Sequence, residues 1–300
     1  MTGMTVLDLG LVGMNRLFRL DIVYCMTNSP CADLSAIASM NPLAYLTIVP
    51  IYKATPSKSE AFSFLQLREL QVKNVTLMCP EGLDIGVYQD LWPEVQVARF
   101  APKHFLSVQT YNDFMLDPQL YETFAQHYHW MLVYQLDAFI FSNRIEEFCN
   151  LAYDYYGAPW RVGFPKLTFL FNRFPIPLTT KRFYVGNGGF SLRNIPKTID
   201  LLNRTQGHIS RRYFMEDVFF GYWGSIDTQF HACPAEVGAS FSCETHPDHW
   251  LKITGQFPMG THNFERVGPE WAAGYLKPFI AEAWTRLLQS FPKLENFNPS

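Results

Sequence analysis

The chain has 300 residues, 48% hydrophobic and 17% charged, which is enough apolar material for a sizeable core and excludes a disordered chain. Its formal net charge of -3 argues against a nucleic acid or an anionic membrane as a partner held by bulk charge. Aromatic residues, at 16%, serve core packing or stacking platforms for rings, sugars and bases.

Residues 1–42 have no clear periodicity and read as an N-terminal appendage. Their most apolar stretch, "VLDLGLVGMNRLFRLDIVY", is interrupted by Asp8, Arg16, Arg19 and Asp21, so it is not a transmembrane span. It also lacks the features of a signal peptide. The alternatives for residues 1–40 are an amphipathic helix making peripheral membrane contact, an extra packed helix, or an over-long start of the reading frame. Residues 43–300 read as one domain, with a nucleotide-binding half at 43–142 and an acceptor and catalytic half at 143–300.

Ala44 to Tyr52, "AYLTIVPIY", is expected to be a buried strand. A helix starting near Ser59 and Glu60 follows. "NVTLMCP" and "EVQVARF" are two further strands, separated by a short segment. "SVQTYNDFML" and Pro118 to about His127 are expected helices. Met131 to Phe141, "MLVYQLDAFIF", reads as a strand with one anomaly: Asp137 sits inside it, where an unpaired charge is costly to bury. The order is an α/β rhythm implying a mostly parallel sheet flanked by helices. Ligands of such sheets bind at the carboxyl ends of the strands, which gives Asp137 a place facing a cleft.

"NRIEEFCNLAY" looks helical, "YDYYGAPW" turn-like, and Phe164 to Lys181 a long Pro- and Phe-rich loop. "FYVGNGGFSL" is expected to be a strand interrupted by glycine, and "MEDVFFGYWG" a helix opened by acids. The six cysteines (Cys25, Cys31, Cys79, Cys149, Cys233, Cys243) lack the spacing of a zinc or redox pair and read as buried thiols of a reducing compartment.

Three constellations carry chemistry. In "GNGGF" the glycines allow close backbone approach to a ligand, or a bulge or kink beneath a bulky neighbour. It is neither a dinucleotide fingerprint nor a phosphate-binding loop. The acids Glu216 and Asp217 either answer the helix dipole or present a general base beside a glycine-lined cleft. His246 and His249 flank Pro247 and read as loop residues. His262 stands alone in "MGTHNF". No serine-nucleophile elbow is present.

Taken in order, "TIVPIYK", "CPEGLD", "TYNDFML", "YQLDAFIF", "YDYYGAPW", "VGNGGFSLRN", "EDVFFGYWG" and "PMGTHNF" resemble the GT-A glycosyltransferases. They resemble more closely an uncharacterised bacterial family encoded beside surface-polysaccharide genes. The resemblance covers roughly Leu43 to Phe264. It implies a GT-A-like, Rossmann-like α/β sheet with a smaller acceptor-side subregion. It implies a nucleotide-sugar donor such as a UDP-sugar and a glycan or lipid-linked glycan acceptor. The location expected is cytoplasmic, either free or at the inner face of the membrane. Asp137 matches the first acid of the family's Asp-x-Asp, whereas Phe139 replaces the second. Asp137 and His262 are then the residues left to hold a divalent metal, Mn or Mg. The alternative is that Lys53, Lys181, Arg182 or Arg193 neutralises the diphosphate. Pro50, Tyr52, Lys53, Tyr111, Asn112 and Asp137 match nucleotide-binding positions. Trp160, Asn187, Gly188, Gly189 and Phe190 match the donor and acceptor lining, with Tyr184 and Trp223 as further stacking faces.

The function expected is transfer of a sugar to a glycan hydroxyl with inversion, Asp217 acting as base and Glu216 binding acceptor hydroxyls. A non-catalytic glycan- or nucleotide-binding protein on a degenerate transferase fold is the alternative. A nucleotidyltransferase would need a glycine-rich loop after the first strand, and "PIYKATPSKSE" has none.

Overall fold

The computed structural model describes residues 44–264 and 276–296; the appendage read at residues 1–42 lies outside them. The chain begins with β1 (Tyr45–Pro50), α1 (Lys58–Glu69), β2 (Val75–Pro80), α2 (Gly86–Leu91) and β3 (Gln96–Phe100). It continues with α3 (Val108–Met115), α4 (Pro118–Glu122), β4 (Trp130–Tyr134), β5 (Phe139–Ile140), α5 (Ile145–Cys149) and β6 (Tyr155–Tyr156). A hairpin of β7 (Pro159–Leu170) and β8 (Phe174–Val185) precedes β9 (Phe190–Asn194), α6 (Ile195–Arg204), α7 (Ser210–Tyr213) and α8 (Glu216–Gly224). Then come α9 (Ala235–Phe241), β10 (Ser242–Cys243), α10 (Pro247–Thr254), β11 (Gly260–Thr261) and α11 (Leu276–Ser290).

The main sheet has the order β3-β2-β1-β4-β9-β6. The first four strands run parallel, and β9 pairs antiparallel with both β4 and β6. The chain moves outward from β1 to β3 and returns on the other side as β4, so the strand order reverses between β1 and β4. Outside the carboxyl ends of such strands is where open α/β sheets bind ligands. The centre of the sheet is apolar on both faces, and every residue of "WMLVY" is buried. One hydrophobic cluster extends from Tyr45 to Leu294.

The expected strand Met131 to Phe141 is two. β4 ends at Tyr134 because its antiparallel partner begins opposite it, at Phe190. The chain then turns through Gln135, whose carbonyl accepts from Ala138 N at 2.8 Å. Phe139 and Ile140 pair instead with Thr261 and Gly260 in a separate three-stranded sheet. The Gly-interrupted strand is likewise split, at Gly186–Gly189. The expected loop Phe164–Lys181 is the long antiparallel hairpin β7–β8. The turn-like "YDYYGAPW" supplies β6 and the start of β7. The helices at 118–127 and 143–153 end early, at Glu122 and Cys149. His249 lies on a helix, with His246 as its cap at φ 54°. Cys79, Cys149, Cys233 and Cys243 are buried and unpaired.

Candidate functional site

The glycine segment lies at the carboxyl edge of β4, and three of its residues are glycine because a side chain occupies the space a Cβ would need. A Cβ on Gly186 would strike the Trp160 ring, one on Gly188 the Glu216 carboxylate, and one on Gly189 the His262 imidazole. The segment is fixed by Gln135 N donating to Gly189 O at 2.8 Å. Ser191 Oγ donates to Gly188 O at 3.1 Å, and Tyr155 Oη to Asn187 O at 3.2 Å. Asn187 adopts φ 84° and its Oδ1 accepts from Gly189 N.

Glu216 and Asp217 open α8, and they have different surroundings. Glu216 is buried and pairs with Arg193 at 2.8 Å. Arg193 has no exposed side-chain surface and also donates to Tyr121 Oη at 2.8 Å and Ser191 Oγ at 3.0 Å. Its guanidinium lies 4.7 Å from the Phe220 ring centroid. Glu216 N donates to Asn112 Oδ1 at 3.1 Å. Burial pushes the Glu216 carboxyl up to about 7, against the pull of Arg193. Glu216 is therefore engaged inside the protein and does not present its carboxylate to an acceptor. Arg193 is committed to that pair, which removes it from the cations expected to meet a diphosphate. Asp217 is half-buried, and its Oδ1 accepts from Val218 N at 2.7 Å. Burial raises its carboxyl above the usual range; the Val218 amide opposes this and the nearby Glu244 charge adds to it.

The third group is centred on His262, which directly follows β11. Its Nδ1 is 3.2 Å from Glu244 Oε1 and its Nε2 3.2 Å from Asp137 Oδ1. Asn263 Nδ2 also donates to Glu244 Oε1. Burial works against a charge on the imidazole, but Asp137 and Glu244 outweigh it and raise His262 to about 9. The buried Nε2 faces Asp137 at ion-pair distance but without hydrogen-bond alignment.

The pair fits the divalent ion implied by the family resemblance. A carboxylate oxygen and an imidazole nitrogen would be donors of the kind manganese or magnesium takes when a phosphate supplies the remaining oxygens. A carboxylate on the far ring nitrogen is the usual way a ligating histidine is oriented, and Glu244 supplies it. Phe139 supplies nothing, being buried and stacked on Phe62 at 4.7 Å. No group of three or more His, Cys, Asp or Glu residues suited to a metal ion occurs among the described residues.

Of the expected nucleotide contacts, Pro50 closes β1, and Tyr52 and Lys53 are exposed just beyond it. Lys53 pairs with Glu60 at 2.8 Å. Asn112 supports Glu216 from α3. The buried Tyr111 hydroxyl lies beside Gln135 without a well-formed hydrogen bond. Asn187 Nδ2 is likewise buried and unsatisfied. Tyr111 Oη and Asn187 Nδ2 are thus two unmatched buried polar atoms, the pattern left where a polar ligand completes the bonding. Phe190 belongs to the core instead: it is fully buried and stacked on Phe241 at 5.1 Å. Trp160 covers Gly186 and is half-buried. Trp223 donates to Ser210 Oγ at 3.1 Å, and Tyr184 lies exposed on β8. Sequence reasoning missed Glu244, a single acid in "SCETHPDHW" with no spacing to mark it. It also missed the Arg193–Glu216 pair, for which an arginine inside the apolar "FSLRN" was a signal.

A six-stranded, mostly parallel α/β sheet with an acid- and histidine-lined site at its carboxyl edge defines the class. The chain belongs to the family described as a protein of unknown function (DUF5672), which matches residues 94–262. Its structure is similar to that of the galactosyltransferase LgtC in complex with donor and acceptor sugar analogs. That match has 9% identity, covers 80% of this chain and 95% of that one, and has a TM-score of 0.47. An active-site mutant of LgtC aligns with 10% identity, the same coverage and a TM-score of 0.48. A search of curated proteins found no match.

Proposed function

We propose that the protein is a glycosyltransferase that moves a sugar from a nucleotide-activated donor, a UDP-sugar, to a hydroxyl of a glycan acceptor. The observation that carries this reading is the convergence of Asp137, the Gly188–Gly189 backbone, Asp217 and His262 at the carboxyl edge of the sheet. These residues come from four separate parts of the chain. The reading also rests on the motif order given above. Asp217 takes the proton of the acceptor hydroxyl, the hydroxyl oxygen bonds to the anomeric carbon from the face opposite the leaving group, and the bond to the diphosphate oxygen breaks with its electrons. Configuration inverts. A carboxyl pKa raised by burial suits this step, because a base works best when its pKa approaches the operating pH. Glu216, held by Arg193, is a positioning residue that fixes the start of α8 and the Gly188 turn. A divalent ion on Asp137 and His262 would neutralise the leaving diphosphate; Lys53 is the candidate cation otherwise, because Arg182 donates to Val162 O and Gly163 O at 2.7 Å each and Lys181 lies exposed on the hairpin.

The acceptor is proposed to extend toward a cleft of about 700 Å³ lined by Gln109, Asp113, Asp117, Gln119, Arg211 and Arg212. α3 joins the two places, carrying Asn112 against Glu216 and Gln109 and Asp113 into the cleft. Planar polar side chains of mixed charge suit vicinal hydroxyls, and Arg211 Nε is buried there without a partner.

The buried Phe139 in place of a second acid favours an alternative, a binding protein that has lost turnover. Release of nucleoside diphosphate from a panel of UDP-sugars, with and without glycan acceptors, separates the two. Acceptor-dependent release supports the transferase. Tight nucleotide binding with no release under any pairing supports the alternative and overturns the proposal.

A further inference from the structure

The β7–β8 hairpin is unusual in charge and in exposure. Between Pro159 and Val185 the sequence contains Arg161, Lys166, Arg173, Lys181 and Arg182 and no Asp or Glu, in a chain whose formal charge is -3. Arg161, Arg173 and Lys181 are exposed and form no salt bridge among the described residues. The same hairpin holds a concentration of exposed large apolar side chains. Leu170 pairs with Phe174 and Thr168 with Ile176, and positions two apart on a strand share a face. Leu170, Phe174 and Ile176 therefore lie on one face, and all three are exposed. Phe171, at the tip, is 83% exposed with φ 52°, a left-handed conformation rare for a bulky side chain.

The opposite face of the distal hairpin is already used. Phe169 packs edge-on against His208, Tyr213, Phe214 and Tyr222. Tyr222 Oη donates to Leu167 O at 2.7 Å. Lys166, in alternation with Thr168 and Leu170 on the first face, itself donates from Nζ to Ser225 O at 2.7 Å. At the tip, Asn172 Oδ1 accepts from Ile209 N at 3.0 Å. The hairpin is thus braced from behind and directs its aromatic tip and cations outward. Pro175 and Pro177 have no N–H, so β8 does not offer a backbone ladder for an added strand. What remains for recognition is exposed aromatic and aliphatic side chains at the tip beside Arg173, with the exposed Arg161 and Lys181 toward the base of the same acid-free hairpin. That combination is complementary to an anionic lipid surface, where rings insert at the headgroup level and Lys and Arg meet phosphates.

We infer that the β7–β8 hairpin docks the protein on anionic bilayers, with Leu170, Phe171 and Phe174 entering the interface and Arg161, Arg173 and Lys181 contacting lipid phosphates. The inference is independent of the transferase reading, because it is read out as binding and needs no substrate.

The test is flotation of the full chain with phosphatidylcholine vesicles, with and without phosphatidylglycerol. The wild type is expected to float only with phosphatidylglycerol and to be released by high salt. Arg161→Gln, Arg173→Gln and Lys181→Gln together are expected to lower partitioning on the order of 10²-fold, from about one kcal/mol per cation at the surface. Phe171→Ser with Phe174→Ser should lower it about tenfold or more. All five positions are exposed, so thermal melts of the variants should match the wild type. Absence of wild-type flotation overturns the inference. So does flotation unchanged in both folded variants, which would locate binding elsewhere, residues 1–43 included, and so does equal binding to neutral vesicles.

Discussion

His262 is held between two carboxylates, and its proton is consequently held more tightly in the folded chain than in the unfolded one. With the folded value at about 9 and the ordinary value at 6.5, the associated stability is complete below about pH 6.5 and is lost as pH rises to about 9. Glu216 has the same sign in a lower window, between 4.5 and about 7. The range from pH 7 to 9 therefore isolates the histidine. The urea midpoint of the wild type should fall across that range and His262→Gln should flatten the fall; a midpoint equally flat in both would refute the ion-pair account. Asp217→Asn removes a proton acceptor without changing shape. Turnover should drop on the order of 10²-fold or more with donor affinity retained, and near-normal turnover would remove Asp217 from the mechanism. The two neighbouring glycines should separate. Gly188→Ala pushes on the Glu216 carboxylate and threatens a buried pair whose rupture costs about 3–5 kcal/mol, so it should lower the melting temperature severely. Gly189→Ala pushes on the His262 ring and should weaken nucleotide binding more than it weakens the fold. Equal effects in melting and binding assays would contradict this division.

Elements built from uninterrupted apolar runs were legible in the sequence. β1, β2 and β4 needed only their burial on both faces to be recognised, and α1 is opened by the reciprocal cap of Ser57 and Glu60. Elements whose identity depends on distant partners were not. Nothing local says that "LDAF" turns out of β4, because the cause is the position of Phe190 on another strand. Phe164–Lys181 reads as a loop since Pro165, Pro175 and Pro177 argue against a central strand. In a two-stranded ribbon, prolines are tolerated where no ladder donor is needed. The same distinction holds at the site. Asp137 and the glycine segment announce themselves as breaches of a strand pattern, whereas Glu244 matters only because folding brings it to His262. Phe190 shows the reverse error, an aromatic beside a glycine segment that belongs to the core. The hairpin's anchoring is also testable at this scale. Phe169→Ala removes the ring that contacts α7 and α8, so amide exchange should accelerate across Pro159–Val185 while β1 and β4 keep their protection. Uniform acceleration throughout the sheet would mean that the hairpin is not a separable unit.

At the scale of the molecule, the site joins segments that are far apart in sequence. Pro50 ends a central strand, Asp137 sits in the turn after another, Asp217 lies in the first turn of a helix of the second half, and His262 directly follows the small sheet that also takes up β5. A ligand spanning these groups binds the folded chain and not the unfolded one, so it must raise global stability by mass action. At 100 times its dissociation constant the gain is about 2.7 kcal/mol. Metal should act through the same linkage, but unequally. Without nucleotide, an incoming cation finds only Asp137 and His262 and must displace a proton that two carboxylates hold on the imidazole, so manganese alone should bind weakly. With uridine diphosphate present, phosphate oxygens would supply the remaining ligands, as is usual for hard divalent ions that take few protein ligands. Calorimetric titration of manganese should therefore show little heat with the protein alone and a clear isotherm in the presence of uridine diphosphate. Asp137→Ala should abolish that isotherm and weaken nucleotide binding as well. Tight manganese binding to the nucleotide-free protein would require ligands beyond this pair. A nucleotide affinity indifferent to manganese would leave the diphosphate to Lys53, and charge removal there would then be expected to weaken donor binding where Asp137→Ala does not.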